Sequence, residues 1–129
     1  MATLLYVDDE TLIGNAVARW FTRRGHTVHL AVSIATAQRQ ILQLGPTLDT
    51  LFIDVWLGQE SGFELMSWIE DVRSHLAGRV TFVTGELAES RGRRVWRTLG
   101  RPVLQKPFDL AQLEAHAHAY MAARRPSGT

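Results

Sequence analysis

Apolar residues along the chain follow two rhythms. Short, almost unbroken apolar runs occur at Leu4-Leu5-Tyr6-Val7, Thr27 to Ala31, Thr50 to Ile53, Val80 to Val83 and Val103-Leu104-Gln105. Runs this short with so little polar interruption suit strands buried on both faces, the situation of a parallel sheet. Between them the apolar spacing opens to three and four residues, the period of helices packed on one face. Leu12, Ala16 and Trp20 with Ile13, Val17 and Phe21 form one stripe, stopped by Gly25. Ile34, Ala37, Ile41 and Leu44 form a second, capped by Ser33 and ended by Gly45-Pro46. Met66, Ile69, Val72 and Leu76 form a third, opened by a Ser61/Glu64 capping box, and Leu110, Leu113, Ala117, Tyr120 and Met121 a last, capped by Asp109 with Gln112. Glu86 to Gly100 reads as one more helix, interrupted by Gly92 and thin in apolar residues, while Val55 to Gly62 carries two glycines and reads as a loop.

Five strand signals alternating with five helix signals, joined by short loops, predict the α/β class: a single (βα)5 doubly wound parallel sheet with helices on both faces. Right-handed crossovers then bring the carboxyl end of every strand to one edge of the sheet. In open sheets of this kind that edge is where ligands and chemistry sit.

Composition narrows the partners. The chain has 129 residues, a length that suits one domain with one core, and its formal net charge of +1 gives no electrostatic reason to expect nucleic acid or a membrane surface. With no cysteine there are no disulfides or thiolate metal sites, in keeping with a reducing, cytoplasmic setting. The amino-terminal apolar run is too short for a signal peptide and is followed at once by acids; nothing approaches a membrane span. Arg124 to Thr129 reads as a flexible tail or the start of a linker, which leaves residues 1–123 as the domain.

The residues delivered to the functional edge are Asp8 and Asp9 after the first strand, Asp54 at the end of the third, Thr84 at the end of the fourth and Lys106 after the fifth. A lone Asp at a strand end commonly starts a turn and no more. Three carboxylates brought together are different, since each pair repels by about 1 kcal/mol at 4 Å in bulk water and by several-fold more at lower effective dielectric. They require a cation, and oxygen-only ligands from two loops suit a hard ion that keeps several waters, Mg²⁺ rather than zinc. A lysine and a hydroxyl beside such a site are equipment for holding phosphoryl oxygens, with Asp54 as the nucleophile that forms an aspartyl phosphate.

With Asp8-Asp9, Asp54, Gly62, Thr84-Gly85 and Lys106-Pro107-Phe108 in this order and at these spacings, the chain from Leu4 to about Ala123 resembles a response-regulator receiver domain of two-component signalling. The resemblance implies a flavodoxin-like sheet of strand order 2-1-3-4-5. It implies Asp54 as phosphoacceptor, with Mg²⁺ held by Asp9, Asp54 and the backbone carbonyl of Trp56 and by Asp8 through water, and a cis Lys106-Pro107 bond. It also implies a sensor histidine kinase or phosphotransfer protein as phosphoryl donor, and a switch rather than an enzyme.

Departures from the family pattern carry their own expectations. Val103 stands where an aromatic that swings inward is usual, and a β-branched side chain, stiff at χ1, cannot do that. Gly58 stands where proline is common, and Glu86 lies two residues past Thr84. Trp56, two residues past the phosphoacceptor, is large and is expected to shield an acyl phosphate from water. Arg91, Arg93, Arg94, Arg97 and Arg101 crowd the fourth helix and its exit. They are either a solvated face or a docking surface for an acidic output partner or a second copy of the domain, with Trp96 as an anchor. The five histidines are expected to form no cluster, His116 and His118 diverging on their helix, and read as structural or surface groups, and Trp20 and Trp68 as core or half-buried packing.

Two functions therefore stand: a phosphorylation-dependent switch, and a phosphorylation-independent docking module that uses the arginine face. The acids, Thr84 and Lys106 favour the first and Val103 the second. An Mg²⁺-dependent phosphatase fits less well, because Trp56 occupies the place where such an enzyme needs a second acid.

Overall fold

A computed structural model describes residues 1–85 and 102–124, the last five of them by backbone alone. The elements are β1 (Thr3–Val7), α1 (Thr11–Arg23), β2 (Thr27–Ala31), α2 (Ile34–Leu44), β3 (Thr50–Asp54), α3 (Gly62–Val72), β4 (Val80–Thr84), β5 (Val103–Gln105) and α4 (Leu110–Arg124). The five strands form one parallel sheet in the order β2-β1-β3-β4-β5, in which Val7 pairs with Ile53, Asp54 with Val83 and Thr84 with Gln105. This is the predicted topology. The sheet order reverses direction between β1 and β3, and the acids of both strands stand at that crevice. The predicted helix over Glu86 to Gly100, with its arginines and Trp96, and the tail from residue 125 lie outside the described residues.

Alternation along the strands divides the core in two. Leu5, Val7, Leu51, Ile53, Val80 and Phe82 point to one face, covered by Ile34, Ala37 and Ile41 of α2 and Leu65, Met66 and Ile69 of α3. Leu4, Tyr6, Phe52, Val83 and Leu104 point to the other, covered by Val17 and Phe21 of α1 and Leu113 and Ala117 of α4. β3 and β4 are buried at every residue, which is why their sequences are mainly apolar and rich in β-formers rather than alternating with charged positions.

The helix ends follow their caps. Ser33 accepts from Thr36 N at 3.2 Å and Ser61 from Phe63 N at 3.2 Å, while Gln112 Oε1 accepts from Asp109 N at 3.0 Å, the returning half of the expected cap. Three local expectations differ. Leu12 is 84% exposed, since it lies in the first turn of α1, beyond the edge of the sheet that Val17 and Phe21 cover. α3 stops at Val72, which is exposed, and Leu76 is buried instead from a 3₁₀ segment, Ser74–Arg79. Within the loop after β3, Trp56–Leu57 pairs antiparallel with Glu60–Ser61, and Gly58 takes φ +63° at the turn between them.

Candidate functional site

Three backbone hydrogen bonds continue the sheet's pairing past the strand ends. Asp8 N donates to Ala31 O (3.0 Å), Val55 N to Val83 O (3.0 Å) and Lys106 N to Thr84 O (2.7 Å). Asp8, Asp54 and Lys106 are thereby fixed as extensions of the sheet rather than as free loop residues. The Lys106-Pro107 bond is cis, as the resemblance implies.

Lys106 Nζ is the centre of the site. It lies 2.8 Å from Asp54 Oδ2, 2.9 Å from Asp8 Oδ2 and 3.1 Å from Glu10 Oε1. Asp8 and Asp54 are 3% and 4% exposed, so the mutual repulsion of their carboxylates is little screened by water. Asp54 Oδ1 accepts from Trp56 N at 3.2 Å, and Asp8 Oδ1 from Glu10 N at 2.9 Å. Asp8 Oδ2 also accepts from the Tyr6 hydroxyl at 3.0 Å. Thr84 is buried at the end of β4.

The electrostatics follow from burial. Loss of water pushes the Asp54 carboxyl up to about 6 from its ordinary 3.8; the Lys106 hydrogen bond and charge pull against this and the Asp8 charge adds to it. Burial works against the Lys106 ammonium, but hydrogen bonds and charge from Asp54 and Asp8 outweigh it and hold the group above the ordinary lysine range. The Tyr6 phenol is raised well above its ordinary value, by burial first and then by Asp8. One ammonium set among three carboxylates leaves a formal surplus of negative charge, and the carboxylates of Asp8, Glu10 and Asp54 lie close enough together to hold one metal ion.

The expected ligand set and the observed one overlap without coinciding. Asp8 and Asp54 are together. Asp9 is exposed and turned toward the ribbon, its Oδ2 3.7 Å from where a Cβ on Gly58 would stand. Glu10 takes a place beside Lys106 that the sequence reading had not assigned; its membership of the acidic run was the available signal. Tyr6 was read only as an apolar strand residue, although a phenol two positions before an acid on a strand shares that acid's face. Gly62, one of the motif residues, is required sterically: a Cβ there would come within 2.2 Å of Asp54 O. Trp56 is 49% exposed, two residues past Asp54, and Val103 is half-buried against the apolar cluster under α2 and α3.

Two side-chain groups lie away from this edge. Trp20 is half-buried, with the Arg24 guanidinium 4.1 Å over its ring. His26 and His118, read as unrelated, meet across the α4 packing with ring centroids 5.8 Å apart and Glu114 within 3.4 and 3.9 Å of their Nε2 atoms. Sequence separation hid this contact. His26 Nδ1 accepts from Ala2 N at 2.9 Å, which puts the ring proton on Nε2 and removes the lone pair that a metal would need there. The group is a polar staple between the start of β2 and α4.

A doubly wound parallel sheet with a buried aspartate, a second acid and a lysine gathered at the carboxyl ends of its strands defines the receiver class of α/β domain. The family model for the response regulator receiver domain matches residues 4–118, and the chain belongs to that family. Sensor kinase CckA of Brucella abortus (strain 2308) is 30% identical over 112 residues, 87% of this chain, which spans only 12% of that relative's length. Among solved structures, a response regulator receiver domain protein from Clostridium thermocellum superposes with a TM-score of 0.83 at 21% identity, covering 96% of this chain and 97% of that one. The receiver domain of NtrX from Brucella abortus gives 0.78 at 24% identity over 92% and 98%. A response regulator from Burkholderia pseudomallei, solved with a phosphorylated aspartic acid, calcium ion and citrate, gives 0.74 at 22% identity over 100% and 76%. Likenesses at these identities establish the fold.

Proposed function

We propose that this receiver domain is a phosphorylation-dependent switch: a carboxylate oxygen of Asp54 takes a phosphoryl group from a phosphohistidine of a sensor kinase or phosphotransfer protein. The P–N bond of the donor breaks with its electron pair going to the imidazole nitrogen, and a P–O bond to Asp54 forms. The observation that carries this reading is the buried Asp54 carboxylate 2.8 Å from Lys106 Nζ, with Asp8 beside both. Lys106 would leave its carboxylates for the arriving phosphoryl oxygens, and Thr84 would offer its hydroxyl to the same group. The Burkholderia protein carries a phosphorylated aspartate in its structure, which supports the same chemistry here.

The donor set fits a hard divalent ion, because Asp8, Glu10 and Asp54 supply carboxylate oxygens within one ion's reach and an ammonium already occupies their common focus. Mg²⁺, when bound, would neutralise the charge of the phosphoryl oxygens. Asp8, Asp9, Asp54 and the Trp56 carbonyl are the groups proposed to hold it, with Glu10 at the rim. The chemistry belongs to a switch because Asp54 is itself modified and the altered surface is what a partner reads. The cysteine-free composition agrees with a cytoplasmic setting.

Val103 favours a second reading, docking without phosphorylation, because a half-buried valine packed on the core offers no movable ring. Intact mass after incubation with a small phosphodonor decides between the two. A gain of one phosphoryl group that requires both Mg²⁺ and Asp54, absent in Asp54→Ala, supports the switch. No gain from either the small donor or a phosphorylated histidine protein supports the docking module.

A further inference from the structure

β1 sends Leu4 and Tyr6 into the apolar layer shared with α1 and α4. Leucine, valine or phenylalanine would fill the place of Tyr6 equally well. A buried phenol hydroxyl instead needs a partner, and at a position only 1% exposed that partner must come from the protein. The partner is Asp8, two residues on and on the same face of the strand, with Tyr6 Oη 3.0 Å from Asp8 Oδ2. The ring cannot easily turn away. It lies against Phe52, its register partner on β3, with centroids 6.4 Å apart, and Phe52 is itself two residues before Asp54.

Asp8 is held by three donors of different permanence. Glu10 N reaches Oδ1 at 2.9 Å, while Tyr6 Oη and Lys106 Nζ share Oδ2 at 3.0 and 2.9 Å. The lysine is also engaged by Asp54 and Glu10, and under the switch reading it is the group that would turn to the phosphoryl oxygens. Without it, Asp8 would keep one side-chain donor among the described residues, and that donor is wedged in the core.

We propose that Tyr6 is a positioning residue of the phosphoacceptor site: its phenol holds the Asp8 carboxylate in the orientation that binds the divalent cation, and does so whether or not Lys106 is present. This rests on the switch reading, since it assigns Tyr6 a part in the same site. It acts through Asp8 and touches neither phosphoryl group nor cation. Partners that orient a metal-binding carboxylate from behind commonly change affinity by ten- to a hundred-fold when removed.

The test is calorimetric titration of the metal-free protein with Mg²⁺, at a temperature well below unfolding, for the wild type, Tyr6→Phe and Ile41→Val. Tyr6→Phe keeps the ring on Phe52 and removes only the hydroxyl. Ile41→Val trims the opposite apolar layer by one methyl and controls for a general loss of packing. The expected result is a Mg²⁺ dissociation constant weakened about tenfold in Tyr6→Phe and unchanged in Ile41→Val. The phosphorylation rate of Tyr6→Phe is then low at limiting Mg²⁺ and returns to the wild-type rate at saturation. Equal affinity in Tyr6→Phe and wild type overturns the positioning role and leaves the switch intact, as does an equal weakening in Ile41→Val. Failure of the wild type itself to bind Mg²⁺ overturns both.

Discussion

As the proposed phosphoacceptor, Asp54 combines two demands that conflict in a resting domain: it would have to be ionised to react, yet it is buried among like charges. Its carboxyl sits at about 6 in the folded chain against 3.8 ordinarily, so the native state binds this proton more tightly than the unfolded state does. Stability from this group is therefore present below the unfolded value and is lost as pH rises from about 4 to about 6. Asp54→Asn should raise the unfolding temperature by a few degrees in EDTA at pH 7.5, and thermal scans at pH 3.5 should show that gain gone. Trp56 yields a prediction of a different kind. Half exposed, with its backbone N–H on Asp54 Oδ1, it stands where water would approach an acyl phosphate. Trp56→Asn is expected to shorten the life of the phosphorylated form several-fold, followed as the decay of intact mass; an unchanged lifetime would remove the shielding role. Residues of this kind were named from sequence because their types are chemically rare at strand ends. Glu10 and Tyr6 were not, because their importance lies in reaching Lys106 and Asp8, and reach is a tertiary property.

Among the elements, the junction of β3 with α3 is the tightest. Gly62 N donates to Val55 O at 2.7 Å, and any side chain at Gly62 would meet the Asp54 carbonyl. Gly62→Ala should destabilise the domain by about 2 kcal/mol, as overpacking of a closed site does, and denaturant titration measures it. A fall that small would still leave a folded protein, in which slower phosphorylation would report displacement of Asp54. The strands and all four described helices were legible from periodicity, and Ser33, Ser61 and Asp109-Gln112 mark three real helix starts. Periodicity failed at element ends. Leu12 and Val72 keep the helical spacing yet project past the sheet, and the two-residue ribbon strands at Trp56–Leu57 and Glu60–Ser61 are too short to have a period at all.

For the whole molecule, three acids around one lysine mean that folding works against charge repulsion until a cation arrives. Saturating Mg²⁺ should stabilise the native state by about 2–3 kcal/mol at a hundredfold excess over its dissociation constant, raising the unfolding temperature reversibly with EDTA. Alternation of strand and helix signals with right-handed crossovers made the parallel sheet and its common carboxyl edge readable, while the strand order came from the resemblance carried by Asp8-Asp9, Asp54, Thr84 and Lys106. The meeting of His26 with His118 was not, since nothing local to either position encodes the other.

β5 is only three residues long and, among the described residues, lies at the sheet's margin and pairs with β4 alone, yet the lysine on which the carboxylates converge follows it directly. The interior strands are clamped from both sides and above and below. A shift in the pull on Lys106 would therefore fall on a short margin strand held by one neighbour among the described residues. Under the proposed switch, charge gained at the centre of the crevice would be felt first at the sheet's margin.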